Sequence, residues 1–130
     1  MILLDSHILL WLLLQPELLS TRAAASIKAG IEAQLPLAVS VLTIYELARA
    51  IQRERVSPVI AHAEFLRRAQ AYATILPVTP AIALTAAQLP STFPSDPFDR
   101  IIAATAIAEG LPLVTADRNI RRSRALRTIW

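Results

Sequence analysis

Short apolar runs alternate with longer helix-like segments along the whole chain, and this rhythm restricts the fold more than any other feature. The runs are Ile2–Leu4, Leu37–Val39, Thr74–Val78 and Pro112–Thr115, with Arg127–Ile129 as a candidate fifth. Each is too short for a buried helix and apolar enough for a strand covered on both faces. Between them, punctuating residues mark helices. Ser6 is read as the cap of a helix over residues 7–14, which Pro16 stops. Ser20 precedes an alanine-rich helix, Thr21–Ala33, and Ser40 precedes a helix from Val41 to about Arg53. A turn at Val56–Pro58 leads to a helix over Val59–Ala73, and Pro80 opens another through Gln88. Residues 98–109 (FDRIIAATAIAE) form the clearest helix, apolar almost all round, with Gly110 where a C-terminal glycine belongs. Strand–helix alternation of this kind builds a mostly parallel sheet of four or five strands with helices on both faces, a three-layer α/β/α arrangement.

In such sheets the site lies beyond the carboxyl ends of the strands. That rule gives meaning to a few of the ten acidic residues. Asp5 directly follows the first strand, and Asp117 follows the fourth in LPLVTAD. Glu46 lies in the second turn of the helix after strand two, and Asp99 in the first turn of the buried helix. Parallel strands would let all four converge above one edge. Two like charges near 4 Å repel by about 4 kcal/mol at an effective dielectric of 20. Protonation or a bound cation relieves this, and an all-oxygen site suits Mg²⁺ or Mn²⁺. A pair of such ions serves phosphodiester cleavage.

Each carboxylate also has a plainer reading. Asp5 could cap the first helix, Glu46 could pair with Arg49 or Arg53, and Asp117 could begin a turn. Asp99 could complete a capping box, although it shares a face with Ile102, Ala103 and Ala106, which capping alone does not explain. Asp96, with Pro97 after it, fits the helix cap best.

At 130 residues the chain is read as one domain, residues 1–130. The absence of cysteine excludes disulfide frameworks and cysteine zinc sites. The apolar start MILLDSHILLWLLLQ is interrupted by Asp5 and His7 and is too short for a membrane span, so a soluble cytoplasmic protein is expected. The 55% hydrophobic content exceeds what a small core needs, which favours an additional interface. The leucines at 9, 10, 12, 13 and 14 cover too much of the first helix for one core-facing stripe, and Trp11 belongs to the core or to a dimer contact. His7 and His62 stand too far apart for a metal or triad site and are read as structural or solvent-facing.

The formal charge is +3, and all basic residues except Lys28 are arginine. Arginine suits bidentate phosphate recognition. Arg118, Arg121, Arg122, Arg124 and Arg127 cluster after Asp117, and Arg100 neighbours Asp99. These are candidate nucleic-acid phosphate contacts, with a merely solvated tail as the alternative.

The local words sharpen the picture. MILLDSHILLW, SVLTIYELA and DPFDRIIAATAIAEGLPLVTADR together resemble the PIN-domain ribonucleases, especially toxin subunits of VapBC toxin–antitoxin modules. The resemblance runs end to end. It implies an α/β/α fold, RNA cleavage with Mg²⁺ or Mn²⁺, and an acidic quartet at Asp5, Glu46, Asp99 and Asp117. It also implies orienting roles for Ser6 and Thr115, a homodimer, and a cognate antitoxin that blocks the site. Attack of water on phosphorus would leave a 5′-phosphate and a 3′-hydroxyl. Tyr45 stands where this subgroup often has Trp, and Arg49 lies where Lys is common; neither touches the quartet. A silent PIN-like module binding RNA or protein is the main alternative. A phosphatase of the haloacid-dehalogenase type wants an acid where His7 stands, and a receiver domain wants a late lysine that the chain lacks. The metal chemistry itself serves DNA as well as RNA, and only the resemblance favours RNA.

Overall fold

A computed structural model describes residues 1–53 and 61–130. The expected turn at Val56–Pro58 and the start of the helix at Val59 lie outside the described residues. The strands are β1 (Ile2–Leu4), β2 (Leu37–Ser40), β3 (Ala73–Leu76), β4 (Leu113–Val114) and β5 (Thr128–Ile129). The helices are α1 (Ser6–Leu14), α2 (Thr21–Glu32), α3 (Val41–Gln52), α4 (His62–Tyr72), α5 (Pro80–Gln88), α6 (Pro97–Glu109) and α7 (Arg118–Ser123). A short 3-10 turn, Pro16–Leu18, follows α1.

All strand pairs are parallel, and the sheet order is β3-β2-β1-β4-β5. The chain winds outward from β1 to β3, then returns to lay β4 on the other side of β1. The order therefore reverses between β1 and β4, which is where open parallel sheets place their crevice.

Side-chain alternation makes the layers. Leu4, Leu37, Val39 and Val114 point to one face and pack with Ile8 and Leu9 of α1, Ala23 and Ile27 of α2, Leu47 of α3 and Phe65 of α4. Leu3, Ala38 and Leu113 point to the other face and meet Ile102, Ala103 and Ala106 of α6 and Ile120 of α7. Helix α5 rests on α6 through Ile82, Ala86 and Ala104. Successive residues on opposite faces are the period-two geometry of a strand covered on both sides.

The helix boundaries follow local chemistry. Ser20 accepts from the Ala23 amide at 3.1 Å, Ser40 from Leu42 at 3.2 Å and Thr79 from Ile82 at 3.2 Å. Asp96 caps α6, with Pro97 at its first position, and Gly110 ends α6 at φ 65°, a conformation glycine adopts without a Cβ penalty.

Three readings need correction. Ser6 does not cap α1: Asp5 does, accepting from the Ser6 amide, and Ser6 is the first helical residue. The β3 strand ends at Leu76, because Pro77 cannot donate to a ladder. Residues 118–123 form helix α7 rather than a tail.

Helix α1 buries Ile8 and Leu9 completely, whereas Leu10 to Leu14 are only partly covered. Trp11 packs within the chain, edge-on to His7 at 5.0 Å and tilted against Trp130 at 5.8 Å. No described helix is long and apolar enough to cross a membrane.

Candidate active site

Asp5 leaves the end of β1 at the point where the strand order reverses. Its backbone amide still donates to the Val114 carbonyl at 3.0 Å, so the residue is held in the sheet's hydrogen-bond frame. Only 4% of it is exposed. Both carboxylate oxygens are used: Oδ1 accepts from the Ser6 amide at 2.8 Å, and Oδ2 accepts from Thr115 Oγ1 at 2.6 Å. A buried carboxylate needs such donors, since an unpartnered one is costly to desolvate.

The same two hydroxyl residues extend the network. Ser6 Oγ donates to Glu46 Oε1 at 2.6 Å and lies 3.1 Å from Thr43 Oγ1. Thr115 Oγ1 accepts from the Asp117 amide at 3.1 Å. Hydrogen bonds thus run from Glu46 through Ser6 to Asp5, and through Thr115 to the backbone of Asp117. Elements β1, α1, α3 and β4 all contribute. Asp117 Oδ1 accepts from the amides of Asn119 and Ile120, capping α7 while facing the cluster.

Asp99 lies in the first turn of α6. Its carboxyl is pushed up to about 7, first by burial and then by the charges of Asp5, Asp96, Asp117 and Glu46. Glu46 is also raised, chiefly by burial, against the lowering effect of the Ser6 hydroxyl, with Asp5 and Asp96 adding repulsion. The fold therefore brings the sequence-predicted quartet within electrostatic reach, and Asp96 joins it as a fifth charge while capping α6.

Among the described residues no three carboxylate or imidazole groups form a ready-made ion cage. The donor set still fits a hard divalent cation. Every group is an oxygen donor, and among the described residues none of the four carboxylates pairs with Arg or Lys. Burial, and after it the surplus negative charge of its neighbours, already shifts Asp99 toward neutrality, and a divalent ion would relieve that charge.

His7 is the residue that sequence reasoning set aside. Its Nε2 accepts from the Ala116 amide at 3.0 Å, so in the neutral ring Nδ1 carries the proton, and Nδ1 lies 3.6 Å from Asp5 Oδ2. It ties the segment carrying Asp117 to helix α1. The signal in the sequence was its place two residues after Asp5.

The arginines divide. Arg118, Arg121, Arg122 and Arg124 line a cavity of about 510 Å³ together with Thr128. Arg100 does not join them. Its guanidinium donates to the carbonyls of Leu89 at 2.6 Å, Ala86 at 3.3 Å and Pro94 at 3.4 Å, and lies 5.9 Å from the Phe93 ring centre. It clamps the α5–α6 connection, so the expected RNA contact is replaced by a structural role.

Comparison with known proteins agrees with this architecture. The PIN-domain profile matches residues 2–126. Ribonuclease VapC22 of Mycobacterium tuberculosis is 40% identical over 131 residues, covering 99% of this chain and 98% of the relative. Among solved structures, VapBC2 from Rickettsia felis bound to a promoter DNA fragment superposes with a TM-score of 0.76 at 17% identity, covering 98% of this chain and 97% of that one. A toxin–antitoxin complex from Klebsiella pneumoniae gives a TM-score of 0.62 at 24% identity, covering 90% and 87%. A sheet with its crevice between β1 and β4, carboxylates gathered there, and a profile spanning nearly the whole sequence lead to one conclusion: the chain belongs to the PIN-domain family.

Proposed function

We propose that residues 1–130 act as one Mg²⁺- or Mn²⁺-dependent endoribonuclease, the toxin of a type II toxin–antitoxin pair. One observation carries the reading: Asp5, Glu46, Asp99 and Asp117 gather at the β1/β4 crevice in a chain 40% identical to a ribonuclease. Asp5, Glu46, Asp99 and Asp117 would hold the ion. When bound, the ion supplies an activated water and neutralises charge on the phosphoryl and leaving oxygens.

The chain's own groups do the rest. Ser6 and Thr115 fix the rotamers of Glu46 and Asp5, as outer hydrogen bonds do for ligands generally. His7 holds the Ala116 backbone so that Asp117 stays beside Asp5. Asp99, whose carboxyl is held up at about 7, would hold the ion in its ionised form. The Arg118, Arg121, Arg122 and Arg124 cavity binds RNA phosphates on the Asp117 side. Water attacks phosphorus in line and gives up a proton to solvent, the bond to the 3′-oxygen breaks, and that oxygen takes up a proton from solvent, leaving a 5′-phosphate and a 3′-hydroxyl.

The partners follow from the same reading. A cognate antitoxin covers the crevice, and a second copy packs on the partly exposed leucines of α1. The setting is the cytoplasm.

Product analysis tests the chemistry. RNA treated with antitoxin-free protein and Mn²⁺ should carry 5′-phosphate and 3′-hydroxyl ends. Ends bearing 2′,3′-cyclic phosphate would exclude attack by water.

A further inference from the structure

Adjoining the carboxylates, and sharing Glu46 with them, lies a groove of about 460 Å³. Its wall is a pair of aromatic rings. Tyr45 of α3 and Phe98 of α6 stack with centroids 5.8 Å apart and planes 25° from parallel. Phe98 is half-buried and supports the pair, whereas Tyr45 is 53% exposed. Arg49, one turn further along α3, and Arg53, the cap residue that ends that helix, line the same groove with Asp96 and Glu46.

We infer that Tyr45, backed by Phe98, is a stacking platform for an unpaired nucleobase of the RNA, next to the scissile phosphate. The inference rests on the nuclease reading and adds a substrate subsite to it. Position is the first argument. Tyr45 and Phe98 line the same groove as Glu46, so a base on this pair lies beside a group of the proposed ion site. Chemistry is the second. Sites for single strands combine exposed aromatic faces with cationic groups that follow the backbone, and a base offers a π face to the ring. Arg49 and Arg53 supply the cations in the same groove. A base also presents polar edges that both charge signs can satisfy. An apolar peptide side chain would meet both carboxylates and guanidinium groups in the groove lining. The groove therefore favours single-stranded RNA over a protein.

The test uses a short single-stranded RNA carrying 2-aminopurine, whose fluorescence falls when it stacks. Asp99→Asn protein binds it in Mg²⁺ without cutting it. Adding Tyr45→Ala should weaken binding roughly ten- to a hundredfold and abolish the quench, and Tyr45→Phe should keep both. Tyr45→Leu, which retains apolar bulk for folding but has no π face, should behave like Tyr45→Ala. Unchanged affinity and quench in Tyr45→Ala and Tyr45→Leu would overturn the platform while leaving the nuclease reading intact. Wild-type protein that neither binds nor cuts RNA would overturn both. Tyr45→Ala in the otherwise wild-type chain, if it still binds and cuts RNA but no longer binds the antitoxin, would overturn the platform and reassign the rings to a protein interface.

Discussion

Thr115 Oγ1 donates a 2.6 Å hydrogen bond to Asp5 Oδ2, joining residues 110 positions apart across the adjacent ends of β4 and β1. Thr115 itself is wholly buried. Thr115→Val keeps the volume and removes the hydroxyl. It leaves a buried carboxylate oxygen and the Asp117 amide short of a partner, at about 1–3 kcal/mol of stability. RNA cleavage should fall roughly 10–100-fold. Thr115→Ser should recover most of both losses. Thermal melts and cleavage rates of the three proteins check this.

Asp99 sets a pH dependence in the ion-free protein. Its folded-state value of about 7 lies above the unfolded value of 3.8. The folded state therefore binds more protons between these values, and stability falls as pH rises from about 4 to about 7. Asp99→Asn cannot ionise. Its stability relative to wild type should rise across this window, by on the order of 1 kcal/mol once solvent screening of a half-exposed group is allowed for. Melting curves in EDTA at pH 5 and pH 8 should show the advantage at pH 8 and little at pH 5.

Divalent ions should reverse that trend. Mn²⁺ at a hundredfold excess over its dissociation constant would stabilise the folded chain by about 2.7 kcal/mol. The gain should shrink as pH falls below about 7, where protons compete for Asp99. It should be lost in Asp5→Asn. Melting temperature against Mn²⁺ concentration is the readout.

The basic cavity makes a salt prediction. If Arg121 and Arg122 each meet one phosphate, replacing both with Ala should lower the slope of log affinity against log salt by about 1.4. An unchanged slope would remove them from the RNA path. Arg100→Ala should instead lower stability, because its guanidinium is committed to carbonyls at the end of α5.

Much of this was legible in the sequence, for physical reasons. The strands are continuous apolar runs, and Ser20, Ser40, Pro80, Asp96 and Gly110 punctuate the helices as backbone chemistry requires. Helix α7 was not legible. RNIRRS has no apolar periodicity, and the helix rests on the Asp117 cap and one buried side chain, Ile120. Arg100 was misjudged because chain neighbours point about 100° apart around a helix, so adjacency to Asp99 directs it away from the crevice. His7 was judged from its apolar surroundings, but its partner is the Ala116 amide beyond β4, which only strand order brings near. The placement of three of the carboxylates was legible because Asp5 and Asp117 follow strands and Asp99 lies in the first turn of α6, whereas Glu46 sits in the second turn of α3. The bonds that orient them pass through Ser6 and Thr115, and those lengths belong to tertiary structure.

The most direct test incubates antitoxin-free protein with a mixed RNA pool, in Mn²⁺ and separately in EDTA, beside Asp5→Asn and Asp99→Asn. Cleavage by wild type in Mn²⁺ alone, lost in both variants although both fold, is the expected result. Cleavage that persists in EDTA, or in both variants, would contradict the carboxylate cluster as the catalytic centre.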